Sequence, residues 1–168
     1  YQKALKNYEN VAVSTKDLGV LKRALNIAEY LRESEAAMRL AKIWALEEPS
    51  SVSAHSKIIE KSLSLGLFDV ALSSMTDLKK LGESPNFEIL TIAMAKSPTN
   101  EKEKILGILE ELVASYPNES GLLITAATFY SQVLSFDKAL TVINGLLREG
   151  VDSKKISLKA RILVGKGE

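Results

Sequence analysis

The sequence predicts an all-α protein, a right-handed α-solenoid of antiparallel helix pairs, and three observations carry that expectation. Apolar residues recur at spacings of three and four along most of the chain, and no stretch sustains an alternation of period two. Glycine and proline punctuate the periodic segments, at Pro49, Gly66, Gly82, Pro85, Pro117 and Gly150, leaving short linkers of the length that joins antiparallel helix neighbours. The run Phe68-Asp69-Val70-Ala71-Leu72 returns as Phe136-Asp137-Lys138-Ala139-Leu140, an offset of twice 34. Steps of 34 from Ala71 land on Ile105 and Ala139, and backward steps of 34 and 33 land on Ala37 and Ala4. Four alanines and one aliphatic residue at a single register position predict one small-residue contact inside each helix pair.

The elements follow in chain order. Tyr1, Ala4, Leu5, Tyr8 and Val11 form one apolar stripe with no cap before it, so residues 1–16 are expected to be a second helix whose partner is missing. The first complete pair, 17–49, opens with Asp17 as cap and buries Leu18, Leu21, Ala24, Leu25 and Ala28. Ser34 is expected to cap its return helix, which Pro49 stops. The second pair, 52–82, starts after Ser50-Ser51, turns at Gly66, where a positive φ is tolerated, and returns from Phe68. In the third pair, 86–117, the first helix runs from about Asn86 to Lys96, and Thr99 or Asn100 caps the return helix that Pro117 ends. Ile89-Leu90-Thr91-Ile92 comes nearest to a strand, but Ala93, Met94 and Ala95 beside it favour a buried helix. The fourth pair covers 120–150, and 153–168 is a first helix without its return. The domain reading is therefore a single array over 1–168, truncated at both ends. Its exposed end stripes, Tyr1, Leu5 and Tyr8 and then Ile162 to Val164, are expected to fray or to drive self-association.

Composition narrows the function classes. With 46% apolar and 26% charged residues in 168, the chain is of ordinary globular make-up. Lys plus Arg total 22 against 21 for Asp plus Glu, so no net field draws in nucleic acid or an anionic membrane. No apolar run approaches a bilayer span, and no membrane contact is expected of this segment. The absence of cysteine removes disulfides and thiolate metal sites and leaves the compartment open. His55 is the only histidine, so Cys/His nucleophiles and multi-His metal centres cannot be assembled. Glu33 with Glu35, Glu47 with Glu48, and Glu110 with Glu111 are neighbours that point apart on helices and read as solvated faces, not acid/base pairs. Ser62-Leu63-Ser64-Leu65-Gly66 lacks phosphate-loop spacing and reads as a helix end. No enzyme activity, metal or cofactor is expected.

Ala4 with Tyr8, Ala37 with Pro49, Phe68 with Ala71, Leu112 with Pro117, and Phe136 with Ala139 each supply part of a signature of small residue, bulky residue, small residue and terminal proline. On those residues and the period, the chain resembles the tetratricopeptide-repeat family. The small position in the first helix is kept as Ala93 and Ala127 but is Leu25, Ile59 and Arg161 elsewhere, so the repeats are divergent. Thr15-Lys16-Asp17, Arg23-Ala24, Ile27-Ala28-Glu29-Tyr30-Leu31 and Ala41-Lys42-Ile43-Trp44 followed by Pro49 are similar to the amino-terminal repeats of proteobacterial tetratricopeptide lipoproteins. That resemblance implies a lipidated, outer-membrane-anchored periplasmic adaptor that presents substrates to a carboxyl-terminal processing protease. The alternatives are an architectural subunit of a larger complex and a cytoplasmic peptide-binding co-chaperone.

A protein or peptide partner would lie on the concave side, where side chains of the first helices face the groove. Lys22 and Asn26 resemble part of a carboxylate clamp, but of the matching places on later first helices only Lys57 is of the right kind, so both read chiefly as solvated surface. Trp44 falls in the apolar stripe and reads as core. In the helix from Asn86, packing through Ile89, Ile92 and Ala93 leaves Phe87, Leu90 and Met94 for the groove; the next hairpin adds Ile124 and Thr128 beside Gly121. Polarity falls along the groove from Lys22 and Asn26 through Ser56 and Glu60. The expectation is that Phe87, Leu90, Met94, Ile124 and Thr128 form the protein-binding patch, set against the plainer reading that they are covered core.

Overall fold

The computed structural model describes residues 2–95 and 99–168, with side chains for all of these except 93, 94, 99–101 and 104. Among the described residues there are ten helices and no strand: α1 (Gln2–Thr15), α2 (Leu18–Tyr30), α3 (Ser34–Glu47), α4 (Val52–Ser64), α5 (Phe68–Lys80), α6 (Ile89–Met94), α7 (Thr99–Ser115), α8 (Ser120–Gln132), α9 (Phe136–Glu149) and α10 (Ser153–Lys166). The fold is of the α-solenoid class, built of consecutive helix pairs. The chain divides into two compact units, 1–85 and 86–168.

In the first unit each helix packs on the next, α1 on α2 through to α4 on α5. Its core runs from Leu5 and Ala12 through Leu21, Ala24, Leu40 and Trp44 to Ile58. In the second unit α7 packs on α8, α8 on α9 and α9 on α10, and α6 also touches α8. There Ala127, Ala139, Ile143, Leu146, Leu158 and Ile162 form a shared core. The repeated alanine position is an interior one: Ala37, Ala71 and Ala139 are sealed from solvent and Ile105 nearly so, whereas Ala4 is half-buried. In the first helices Leu25, Ile59 and Ala127 are buried, and Arg161 is exposed.

Caps behave as their chemistry dictates. The Asp17 carboxylate accepts from the Val20 N–H at 2.9 Å, Ser51 from Ala54 at 3.4 Å, and Asp152 from Lys155 at 2.8 Å, each satisfying a donor the helix itself leaves open. Ser34 does not cap. Glu33 holds the cap position with no side-chain bond, and Ser34 is already the first helical residue. The turn before it explains the shift. Arg32 adopts φ 59° and the Glu33 N–H reaches back to the Ala28 carbonyl at 2.9 Å, so the chain enters α3 at once. The same turn recurs at Gly66 (φ 72°), with Leu67 N–H on Ser62, and at Leu134 (φ 60°), with Ser135 N–H on Tyr130. These three positions share the 34-residue register, yet only one is glycine.

The third pair departs most from expectation. Its first helix, α6, spans only Ile89–Met94, well short of the expected 86–96. The Asn86 side chain accepts from the Glu88 N–H at 3.1 Å, and Leu90 N–H bonds to Phe87 C=O, so the chain turns locally before it coils. The expected end of this helix, Lys96, lies outside the described residues. Thr99 and Asn100 both fall inside α7, so neither stands before it as a cap. At the chain ends Leu5 and Ile162 are buried, contrary to the expectation that their stripes lie open, because α2 and α9 each cover one side. Tyr8, Val11 and Val164 remain exposed, and Tyr1 lies outside the described residues.

Candidate functional site

Of the five residues assigned to a binding groove, the four whose side chains are described do not form an exposed surface. Phe87 and Leu90 are each only 1% exposed and belong to the interior, which removes them from any patch. Ile124 is half-buried, as is Thr128, whose hydroxyl donates to the Ile124 carbonyl at 2.8 Å and is occupied within α8. The Met94 side chain lies outside the described residues. Among the described side chains of α6, Ile92, assigned to the packing stripe, is the one that stands in solvent. The cause is the shape of α6. A helix of under two turns, apolar on all sides, carries no periodic signal that distinguishes a packing face from an open one.

The first helices of the first unit present a better-defined face. Lys22 Nζ sits 4.6 Å from the Trp44 ring centroid and 3.9 Å from Glu48 Oε2, while the Trp44 Nε1–H donates to the same carboxylate oxygen at 2.7 Å. Trp44 is thus a core residue with its polar end satisfied, and Lys22 is engaged with it. The Trp44 hydrogen bond, with Lys22 nearby, holds the Glu48 carboxyl below its ordinary range. Lys57 is engaged too. Its Nζ lies 2.7 Å from Glu29 Oε1 and Lys61 Nζ lies 3.1 Å from the same oxygen, tying α2 to α4. Burial pushes the Glu29 carboxyl up, but the hydrogen bonds from Lys57 and Lys61 outweigh it and the net shift is downward. Glu29 in turn raises Lys57. The lysines available for a clamp are therefore already paired.

What stays open on this face is a hollow of about 450 Å³ lined by Arg23, Asn26, Ile27 and Tyr30. Tyr30 is 73% exposed, which is unusual for a tyrosine on a packed helix. Sequence reasoning passed over it because it closes the apolar run of α2. A signal was present: the places in the same register in later pairs, Ser64 and Gln132, are both polar.

His55 and Glu110 both take part in structural contacts. His55 is buried, with Nε2 3.1 Å from the Pro49 carbonyl; a carbonyl only accepts, so Nε2 carries the hydrogen. Its Nδ1 has no partner. Glu110 accepts from the Tyr130 hydroxyl at 2.7 Å and from Lys138 Nζ at 3.0 Å, and both lower its carboxyl. Burial, then Glu110, pushes the Tyr130 phenol up to about 12. Glu110 is a bracket between α7, α8 and α9. No group of three potential metal ligands is found among the described residues, and no helix there is long and apolar enough to cross a membrane.

No family model matches the chain. It is 26% identical over 160 residues to a TPR repeat-containing protein of Pseudomonas aeruginosa, an alignment covering 95% of this chain and 27% of that protein. The chain thus spans about a quarter of the length of this relative. Among solved structures, a tetratricopeptide repeat protein from Parabacteroides merdae superposes with a TM-score of 0.49 at 18% identity, covering 99% of this chain and 66% of the other. In sequence, over nearly its whole length, and in its succession of helix pairs at a 34-residue register, the chain is similar to tetratricopeptide-repeat proteins.

Proposed function

We propose that the chain is a non-catalytic protein-interaction scaffold of the tetratricopeptide kind, with its binding face on the first helices α2 and α4. The observation that carries this reading is the open hollow of Arg23, Asn26, Ile27 and Tyr30 beside a lysine set already tied down by Glu29 and Glu48. An exposed tyrosine next to an arginine is the residue pairing that anchors protein interfaces, since each offers a large contact area and a polar tip. The paired lysines make the surrounding surface rigid and close to neutral, so recognition there rests on shape and hydrogen bonds more than on net charge.

The resemblance running from Thr15 to Pro49 supports placing this scaffold in a periplasmic adaptor, anchored to the outer membrane in the full-length protein and working with a carboxyl-terminal processing protease; the TPR repeat-containing relative in Pseudomonas aeruginosa supports the tetratricopeptide part of this reading. The test is capture from a proteobacterial periplasmic extract by the immobilised chain, compared with the double variant Arg23→Ala, Tyr30→Ser. Both residues are exposed, so helicity should be unchanged while the protease or its substrates are lost from the captured set. Equal capture by the folded double variant removes this face from the function, and absence of the protease from both captures removes the adaptor.

A further inference from the structure

Between the last turns of α3 and α5 and over α4 lies a cleft of about 580 Å³ whose apolar wall includes Ala45, Leu46, Pro49, Ile58 and Leu81, with His55 and Ser74 beside them. This falls within the range of about 300–1,000 Å³ typical of ligand pockets. Two of its leucines are open to solvent, Leu46 at 76% and Leu81 at 41%. The repeat register makes both anomalous. Leu46 shares its register position with Lys80, Ala114 and Arg148, and Leu81 shares its own with Glu47, Ser115 and Glu149. A helix pair packs with a charged residue at either place, so folding does not require the leucines. Here the two face one cleft instead.

The rim supplies charge. Lys80 donates to Asp77 at 2.9 Å, whereas Lys42, exposed at the edge, takes part in no ion pair among the described residues. Lys42 also borders an adjoining hollow of about 320 Å³ with Asp69, Val70 and Ser73, which shares Ile58 and Ser74 with the cleft. A largely apolar chamber with the Lys42 ammonium at its lip, in no ion pair among the described residues, is complementary to an aliphatic side chain next to a carboxylate. We propose that this cleft seats a segment of a partner polypeptide in which one or two leucine-type residues adjoin an acidic residue, with Leu46 and Leu81 gripping the former and Lys42 reading the latter. This surface shares no lining residue with the hollow of Arg23, Asn26, Ile27 and Tyr30 and stands or falls independently of it.

The experiment is a methyl-detected NMR titration of the whole chain with acetylated, amidated glutamyl-leucyl-leucine and, in parallel, its glutaminyl counterpart. Saturable shifts at the Leu46, Leu81 and Ile58 methyls are expected at millimolar peptide, with the glutamyl form about threefold tighter, the size of a partly solvated ion pair. Lys42→Met should abolish that preference and retain the apolar binding. Leu46→Ser, at an exposed position that leaves the fold intact by circular dichroism, should weaken both peptides about tenfold or more, as loss of a buried leucine contact requires. Unmoved methyls at the highest peptide concentration overturn the proposal, as does equal affinity of the two peptides. Concentration-dependent association of the peptide-free chain that disappears with Leu46→Ser also overturns it, because the occupant would then be a second copy.

Discussion

Leu90 is the residue at which surface and core readings part. At 1% exposure its side chain contacts protein on all sides, and an aspartate there would hold a carboxylate without water or partner. Leu90→Asp should therefore cost about 3 kcal/mol or more and abolish the cooperative melting of the second unit, followed by circular dichroism. Retained melting with a shift of under about 0.5 kcal/mol would place Leu90 back on a surface. The spacing of Phe87, Leu90 and Met94 could not separate the two cases, because one-residue offsets between stripes have meaning only on a helix long enough to hold its phase. Trp44 shows the opposite situation. It lies in a fourteen-residue helix whose stripe of Ala37, Leu40 and Ala41 fixes the phase, and its burial was legible in the sequence.

At the scale of elements, most of the helices were legible because caps, prolines and period are local chemistry. Asp17, Ser51 and Asp152 bind the donors that a helix start exposes, and Pro49 and Pro117 deny the next turn its geometry. The turns inside the pairs were legible only at Gly66. Arg32 and Leu134 adopt the same left-handed geometry, which costs an L-residue about 1–2 kcal/mol, held in place by the backbone bonds that close each turn. Leu134 is 74% exposed, so its side chain returns little of that cost. Leu134→Gly should stabilise the protein by about 0.5–1 kcal/mol, after the greater unfolded-state freedom of glycine is subtracted, and raise the melting temperature by about 2–4 °C. A lower melting temperature would show that the leucine makes a contact worth more than the strain.

At the scale of the molecule, the division after Pro85 separates a first unit whose own buried residues extend from Leu5 to Leu78. A unit of this size with its own interior is large enough to fold alone, since such domains bury well over half of their surface. A fragment of residues 1–85 is expected to be strongly helical and to melt cooperatively, as measured by circular dichroism, and a fragment that is unfolded at low temperature would mean that the division is not energetic. The period alone reads as a single array, because it counts residues and is blind to how many contacts cross each boundary.

The sequence by itself determined the all-α class, the 34-residue register, the burial of Ala37, Ala71 and Ala139, and the engagement of Trp44 in the core. Each follows from interactions within a few residues or from a repeat that copies one packing solution. Tertiary structure alone decided which side of α6 is open, that Lys22 and Lys57 are spent on Glu48 and Glu29, and that Leu46 and Leu81 share a cleft. Those outcomes depend on where a neighbouring helix crosses, to within a single residue of rotation, and residues far apart in the chain settle that by packing against each other.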